Sequence, residues 1–227
     1  MARGKFISFE GGEGTGKSTQ IRRLADRLTA EGVAVVETRE PGGTPGAEII
    51  RRTILSGRTR DLGPFAEALM MNAARDDHLN EVIRPALKAG KWVLCDRFAD
   101  STRVYQGTMG EADPDLLKAM ERAIVAKDWP NLTIVLDLDP EIGLERARVA
   151  TREALGQSSR PDRFEDEALD DHHRMRLAFL DIARAEPDRC VVIDADRSPD
   201  AVAEAVWSAV TSRLKLPRKK AKAANAD

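Results

Sequence analysis

The chain is short of cysteine, of long apolar runs and of any excess of one charge, and each shortage removes a class of protein. Its 227 residues hold two cysteines, Cys95 in "WVLCDRF" and Cys190 in "RCVVIDAD". Both sit in apolar, strand-like runs without metal-binding spacing, so they are expected to be buried, reduced thiols rather than part of a disulfide framework. No stretch approaches the ~18 consecutive apolar residues of a membrane-spanning helix. The opening "MARGKFISFEGG" has only a few apolar residues before polar glycines and is not expected to be a signal peptide. A cytoplasmic protein with no membrane partner is the expectation. The 36 Lys and Arg nearly balance the 38 Asp and Glu, for a net charge of -2, so nothing global attracts nucleic acid. Any anion must be gripped locally. The three histidines, His78, His172 and His173, are not arranged as a metal site, since the adjacent pair points to different faces of a helix.

What is present is enough for a core: 42% of residues are hydrophobic and 33% charged. Short β-branched runs alternate with longer stretches of helical period and show no internal repeat. "KFISFE", "VAVVETRE", "KWVLCD", "LTIVLDLD" and "RCVVIDAD" read as five strands. Between and after them, "STQIRRLADRLTAEG", "TPGAEIIRRTILSG", "GPFAEALMMNAARDDHLNEVIRPALKAG", "DPDLLKAMERAIVAK", "PEIGLERARVA", "EALDDHHRMRLAFLDIARAE" and "SPDAVAEAVWSAVTSRL" read as helices. That order implies an α/β fold in three layers, a five-stranded parallel sheet with helices on both faces. Ser18 and Thr19 open the first helix, Gly32 stops it, and Ser198-Pro199 starts the last. Between Ala150 and Arg163, "ATREALGQSSRPDR" loses its apolar stripe and gathers arginines, which reads as a loop or lid. One domain is expected over residues 1–214, followed by a basic, disordered tail over 215–227.

Gly11-Gly12-Glu13-Gly14-Thr15-Gly16-Lys17-Ser18 fits the spacing G-x-x-x-x-G-K-[ST] between a strand and a helix, the phosphate cradle of P-loop NTPase-like folds. Glycines let backbone N–H groups approach phosphate oxygens, and the helix start adds its positive dipole end. Lys17 is placed to bridge the β- and γ-phosphates and the Ser18 hydroxyl to ligate Mg²⁺. A GTPase switch, a motor ATPase and a small-molecule kinase share this loop, so by itself it does not choose among them. No "NKxD"-type base-reading signature accompanies it, which counts against the switch.

Further clusters follow other strands. "WVLCDRFADSTRVYQG" ends its apolar run in Asp96-Arg97, beyond the carboxyl end of a strand, where open α/β sheets bind ligands. Asp96 there can hold Mg²⁺ through water and Arg97 a phosphate oxygen. "TREPGGTPG" leaves its strand through Arg39 into a Pro-Gly-Gly turn that suits a second anion. In "EALMMNAARDDH", Met71 and Arg75 lie four apart on one helix face, an apolar patch beside a donor fork.

Together "FEGGEGTGKST", "TREPGGTP", "AARDDH", "DRFADSTRVYQG" and "DRFE", in this order, resemble the thymidylate kinase family over about residues 5 to 210. The resemblance implies transfer of the γ-phosphate of ATP to dTMP, giving dTDP, by a homodimeric enzyme using Mg²⁺. ATP would lie on residues Gly11 to Thr19, with Arg148 nearby. dTMP would face it, its phosphate on Arg39 and Arg97 and its thymine edge on Arg75 and Gln106, with Pro41 and Ser101 completing the pocket. Tyr105 would crowd the sugar C2 position against ribonucleotides, and Glu13 would accept a hydrogen bond from the 3'-OH. One departure is that Met71 stands where the family commonly stacks thymine on phenylalanine. Another is that the cradle carries no arginine at its variable positions, so the resemblance places that charge on the lid, among Arg148, Arg152, Arg160 and Arg163, with Arg152 favoured and then Arg160. Ser18 and Asp96 would be the metal ligands, and Lys17, Arg97, Arg152 and Arg160 the catalytic cations.

Overall fold

The computed structural model describes residues 3–155 and 168–217, with the backbone alone at residues 60 and 152–155. Five strands, β1 (Phe6–Glu10), β2 (Val35–Arg39), β3 (Trp92–Asp96), β4 (Leu132–Asp137) and β5 (Cys190–Asp194), form one sheet in the order β2-β3-β1-β4-β5. Every pairing is parallel: Ile7 stands against Leu94 on one side and Leu132 on the other. A central strand of such a sheet is covered on both faces, which is why "FISFE" is buried at all five positions. The edge strands β2 and β5 are only partly buried.

Alternate side chains of β1 feed two cores. Ile7 and Phe9 pack with Leu24 and Leu28 of α1 (Lys17–Ala30) and with Val206 and Val210 of the last helix, Pro199–Arg213. Phe6 turns the other way, against Leu79, Ile83 and an edge-on Phe98 ring 4.9 Å away. Burying a single such side chain is worth about 1.5–3 kcal/mol. Ser8 and Glu10 share the Phe6 face, so this face carries polar groups under the site. Cys95 and Cys190 are free and buried.

Between β2 and β3 run α2 (Pro45–Leu55), α3 (Gly63–His78) and α4 (Arg84–Lys88). The stretch from Gly63 reads in sequence as one helix, but a π-helical turn, Leu79–Ile83, joins α3 to α4. Pro85 lacks an N–H and its ring crowds the preceding turn, which the wider winding accommodates. After β3 comes a helix absent from the sequence reading: α5 (Ala99–Thr102) runs into a π-helical stretch, Arg103–Met109. Thr102, Val104, Tyr105 and Gly107 weaken the helical signal there, and burial against the later helix Leu169–Ala185 overrides propensity. Then follow α6 (Pro114–Ile124), α7 (Pro140–Leu155), α8 (Leu169–Ala185) and α9 (Pro199–Arg213). α7 continues through Leu155, although the loop was expected from Ala150. Thr151 to Leu155 include good helix formers that need no apolar stripe. The remainder of the expected lid, 156–163, and most of the tail, 218–227, lie outside the described residues.

Candidate active site

The loop from β1 to α1 forms the floor of a cleft of about 830 Å³ at the carboxyl ends of β1, β2 and β3. Gly14 has φ +64°, and a Cβ there would stand 1.8 Å from the Gly143 carbonyl of α7, so only glycine lets α7 touch the loop. Lys17, 7% exposed, donates to the Gly12 carbonyl at 2.7 Å and the Gly11 carbonyl at 3.2 Å. Burial pulls its ammonium pKa down, and the neighbouring Arg97 adds to that. Ser18 Oγ donates to Asp96 Oδ2 at 2.7 Å, gathering two hard oxygens at the edge of the loop. Among the described residues no cluster of three or more acidic, histidine or cysteine side chains gathers to hold a metal. A two-oxygen pair suits Mg²⁺ that takes its other ligands from phosphate and water.

Glu13 turns away from the loop interior toward the other wall. Its Oε1 accepts from Arg97 Nη2 at 2.5 Å and from the Tyr105 hydroxyl at 3.1 Å. Burial alone would push the carboxyl up, but Arg97, Lys17 and the Tyr105 hydrogen bond outweigh it and bring the pKa down to about 2. Burial pushes the Tyr105 phenol far up, with the adjacent Glu13 carboxylate adding. Arg97 itself sits at φ +66°, in the left-handed region, and its guanidinium also reaches the Gly11 carbonyl at 3.0 Å and lies 5.1 Å from the Tyr105 ring. Beneath this turn Glu10 is fully buried, accepting from the Phe98 N–H at 2.8 Å and the Ser101 hydroxyl at 2.7 Å. Burial, reinforced by Asp100, raises its pKa to about 8.

The far wall comes from β2, α2, α3 and the helix after β3. Arg39 is at the rim, 55% exposed, donating to Glu48 at 2.8 Å. Arg75 is buried, with Nε on Glu40 at 2.8 Å, Nη1 on Asn72 at 3.2 Å and Nη2 on Thr102 at 3.1 Å. Met71, Pro41, Ser101, Tyr105 and Gln106 line the same cleft. The amide oxygen of Gln106 is buried without a hydrogen-bond partner among the described residues.

The structure therefore brings Glu13 to Thr19, Arg39, Pro41, Met71, Arg75, Asp96, Arg97, Ser101, Tyr105 and Gln106 to one cleft. Gly11 and Gly12 face a smaller cavity behind the loop. Arg148 is exposed and does not line the cleft, whereas Arg146 does, with Ala147, Ala150 and Thr151. Two residues apart on a helix is about 200°, so 146 and 148 face opposite ways. Arg146 donates to the Ala195 carbonyl at 3.1 Å, beside Arg197 at the other end of the cleft. The Arg152 side chain, Arg160 and Arg163 lie outside the described residues. Sequence reasoning missed Arg51 and Leu55, which line the cleft from α2. Their signal was available, since they stand four apart, as Met71 and Arg75 do.

A parallel sheet with a glycine cradle leading from its central strand into α1, and a cation-lined cleft opposite that cradle, defines a P-loop nucleotide-binding protein with room for a second anionic ligand. The thymidylate kinase family model matches residues 9–206. The chain is 58% identical over 212 residues to a thymidylate kinase of Bradyrhizobium diazoefficiens, covering 93% of this chain and 91% of that protein. It is 55% identical over 216 residues to one of Caulobacter vibrioides, covering 95% and 100%. The crystal structure of thymidylate kinase from Ehrlichia chaffeensis superposes with a TM-score of 0.72 at 31% identity, covering 92% of this chain and 99% of that one. The chain belongs to the thymidylate kinase family.

Proposed function

We propose that the protein transfers the γ-phosphate of ATP to dTMP, yielding dTDP and ADP for dTTP synthesis. The observation that carries the reading is Glu13: a carboxylate within the phosphate cradle is turned toward Arg97 and Tyr105 on the facing wall, where an acceptor sugar would lie. There it accepts from the 3'-OH, and Tyr105 crowds C2. Arg39 and Arg97 bind the acceptor phosphate, Arg75 and Gln106 face the thymine edge, and Pro41, Met71 and Ser101 fill the pocket around them. Gly11 to Thr19 cradle ATP, with Lys17 on its terminal phosphates.

No general base is needed, because a phosphate monoester with a second pKa of about 6 is largely dianionic at neutral pH. The work of the protein is to hold two polyanions in line and offset their charge. Lys17 and Arg97 do so from the described residues, and Arg152 and Arg160 are the lid arginines we assign to the transferring phosphate; Arg148 faces away from the cleft and takes no part. Ser18 and Asp96 would hold Mg²⁺, which supplies further charge neutralisation when bound with ATP.

We read residues 1–214 as one catalytic domain with its lid at about 150–163, and 215–227 as a tail. The exposed Leu62, Phe65 and Leu69 about α3, with Leu116 of α6, favour a second copy of the chain as partner. No helix among the described residues is long and apolar enough to cross a membrane, and a cytoplasmic enzyme accords with that. The test is ADP release coupled to dTMP, dUMP, UMP, dGMP or no acceptor. Strong stimulation by dTMP is expected; turnover independent of acceptor would refute the proposal.

A further inference from the structure

In the far wall of the cleft three buried side chains take part in a polar chain, with Glu40 and Arg75 lining the cleft and His78 behind them. Glu40, 5% exposed, stands between Arg39 and Pro41 in the turn that leaves β2. One carboxylate oxygen accepts from Arg75 Nε at 2.8 Å and the other pairs with His78 Nδ1 at 3.0 Å. His78 Nε2 lies 2.6 Å from Thr38 Oγ1, on the strand that leads into Glu40. A carboxylate facing a guanidinium only accepts, so His78 Nδ1 donates to Glu40, while Nε2 and the Thr38 hydroxyl share the second hydrogen bond. His78 is fully buried with both nitrogens engaged, which removes it from acid–base work in the cleft. Gly43 closes over it: a Cβ there would stand 2.6 Å from both Nε2 and Thr38 Oγ1.

Arg75 is consequently held on three sides, by Glu40 at Nε, Asn72 at Nη1 and Thr102 at Nη2. By valence one N–H remains on each terminal nitrogen, and Arg75 lines the cleft together with Met71 and Gln106. A guanidinium recognises by the direction of its fork, so whatever fixes its plane fixes what it can read. Of its three anchors, Glu40 alone brings opposite charge, and Glu40 is also the residue between the two that border the acceptor at Arg39 and Pro41.

We infer that Glu40 is a positioning residue for acceptor recognition: through Arg75, with His78 and Thr38 bracing it, it sets the base-reading fork and ties that fork to the turn bearing Arg39. The inference rests on the reading of Arg75 as the contact to the acceptor base. It assigns Glu40 an effect on dTMP and none on ATP, which approaches from the other side of the cradle.

The test is steady-state kinetics of Glu40→Gln, Arg75→Ala and the double variant, each with dTMP and ATP varied separately. Loss of one charge-assisted hydrogen bond that orients the fork is expected to raise KM for dTMP about tenfold, with KM for ATP within about twofold and kcat within about threefold. In the Arg75→Ala background Glu40→Gln is expected to add no further change, since Glu40 acts through Arg75. A matched rise in both KM values, an unchanged KM for dTMP, or full additivity of the two substitutions overturns the inference. If Arg75→Ala alone leaves KM for dTMP unchanged, the reading of Arg75 falls, and this inference with it. Should Glu40→Gln not fold, Thr38→Val probes the same chain from outside the cleft. A rise of about threefold in KM for dTMP alone supports the inference, and no change overturns it.

Discussion

Glu10→Gln should change how the stability of this protein depends on pH, in a direction fixed by the structure. Glu10 is fully buried on the lower face of β1, and burial together with Asp100 raises its pKa from 4.5 to about 8 despite hydrogen bonds from Phe98 and Ser101 and the nearby Arg97. Between those pH values the folded protein keeps a proton that the unfolded chain has released. Folding then binds a proton, so stability is full below about pH 4.5 and declines as pH rises toward 8. At about 1.4 kcal/mol per pH unit the loss is at most ~5 kcal/mol, a large part of a typical domain's stability. Glutamine has the shape of the neutral acid: its carbonyl can accept from the Phe98 N–H, and its amide can donate to Ser101 Oγ. Glu13 does not confound the experiment, because its pKa of about 2 gives stability that is fully present above pH 4.5 and is lost as pH falls from there through 2. Urea unfolding at pH 5, 6, 7, 8 and 9, without nucleotide or Mg²⁺, would give both curves. The variant is expected within about 1 kcal/mol of the parent at pH 5 and several kcal/mol more stable at pH 9. Curves that stay parallel across this range would refute the reasoning.

Glu13→Gln is expected to lower kcat/KM for dTMP about tenfold while leaving a 3'-deoxy acceptor within about twofold; an unchanged ratio between the two acceptors counts against the 3'-OH contact. Gly14→Ala places a Cβ 1.8 Å from the Gly143 carbonyl at φ +64°, a clash of backbone with backbone. It should cost on the order of 2–3 kcal/mol and weaken ATP binding, measured by thermal unfolding with and without ATP, and a parent-like melting curve would show that the contact yields freely. Arg176 forks onto Asp137 at 2.6 and 3.0 Å, tying α8 to the end of β4, and is about a third exposed. Arg176→Ala should therefore cost only about 1 kcal/mol in denaturant unfolding, and a loss above about 3 would mean that the pair is more buried in solution than this geometry allows.

The strands were legible because a buried parallel sheet writes itself as short β-branched runs, as "FISFE" and "WVLCD" do. The cradle was legible because its glycines have consecutive backbone duties. The helix after Arg97 was not, since "ADSTRVYQG" has poor propensity and is held by burial against α8 and by Glu10 beneath its first turn. Arg148 and Arg146 show the same limit on a smaller scale: both are arginines of α7, and only the rotation of that helix decides which one faces the cleft.

Sequence alone determined the order of strands and helices along the chain, the anion cradle, and the residue types able to hold two phosphorylated ligands. These are local properties, set by periodicity, by glycine at the loop and by the chemistry of individual side chains. Only the tertiary structure decided that β1 lies between β3 and β4, and hence that Glu13, Arg97 and Tyr105, up to 92 residues apart, meet across one cleft. It likewise decided that two acids among many in the sequence are buried at the site, Glu10 beneath the cleft and Glu40 in its wall. Their environments arise from parts of the chain brought together by packing, and no local pattern encodes the depth at which a side chain ends up.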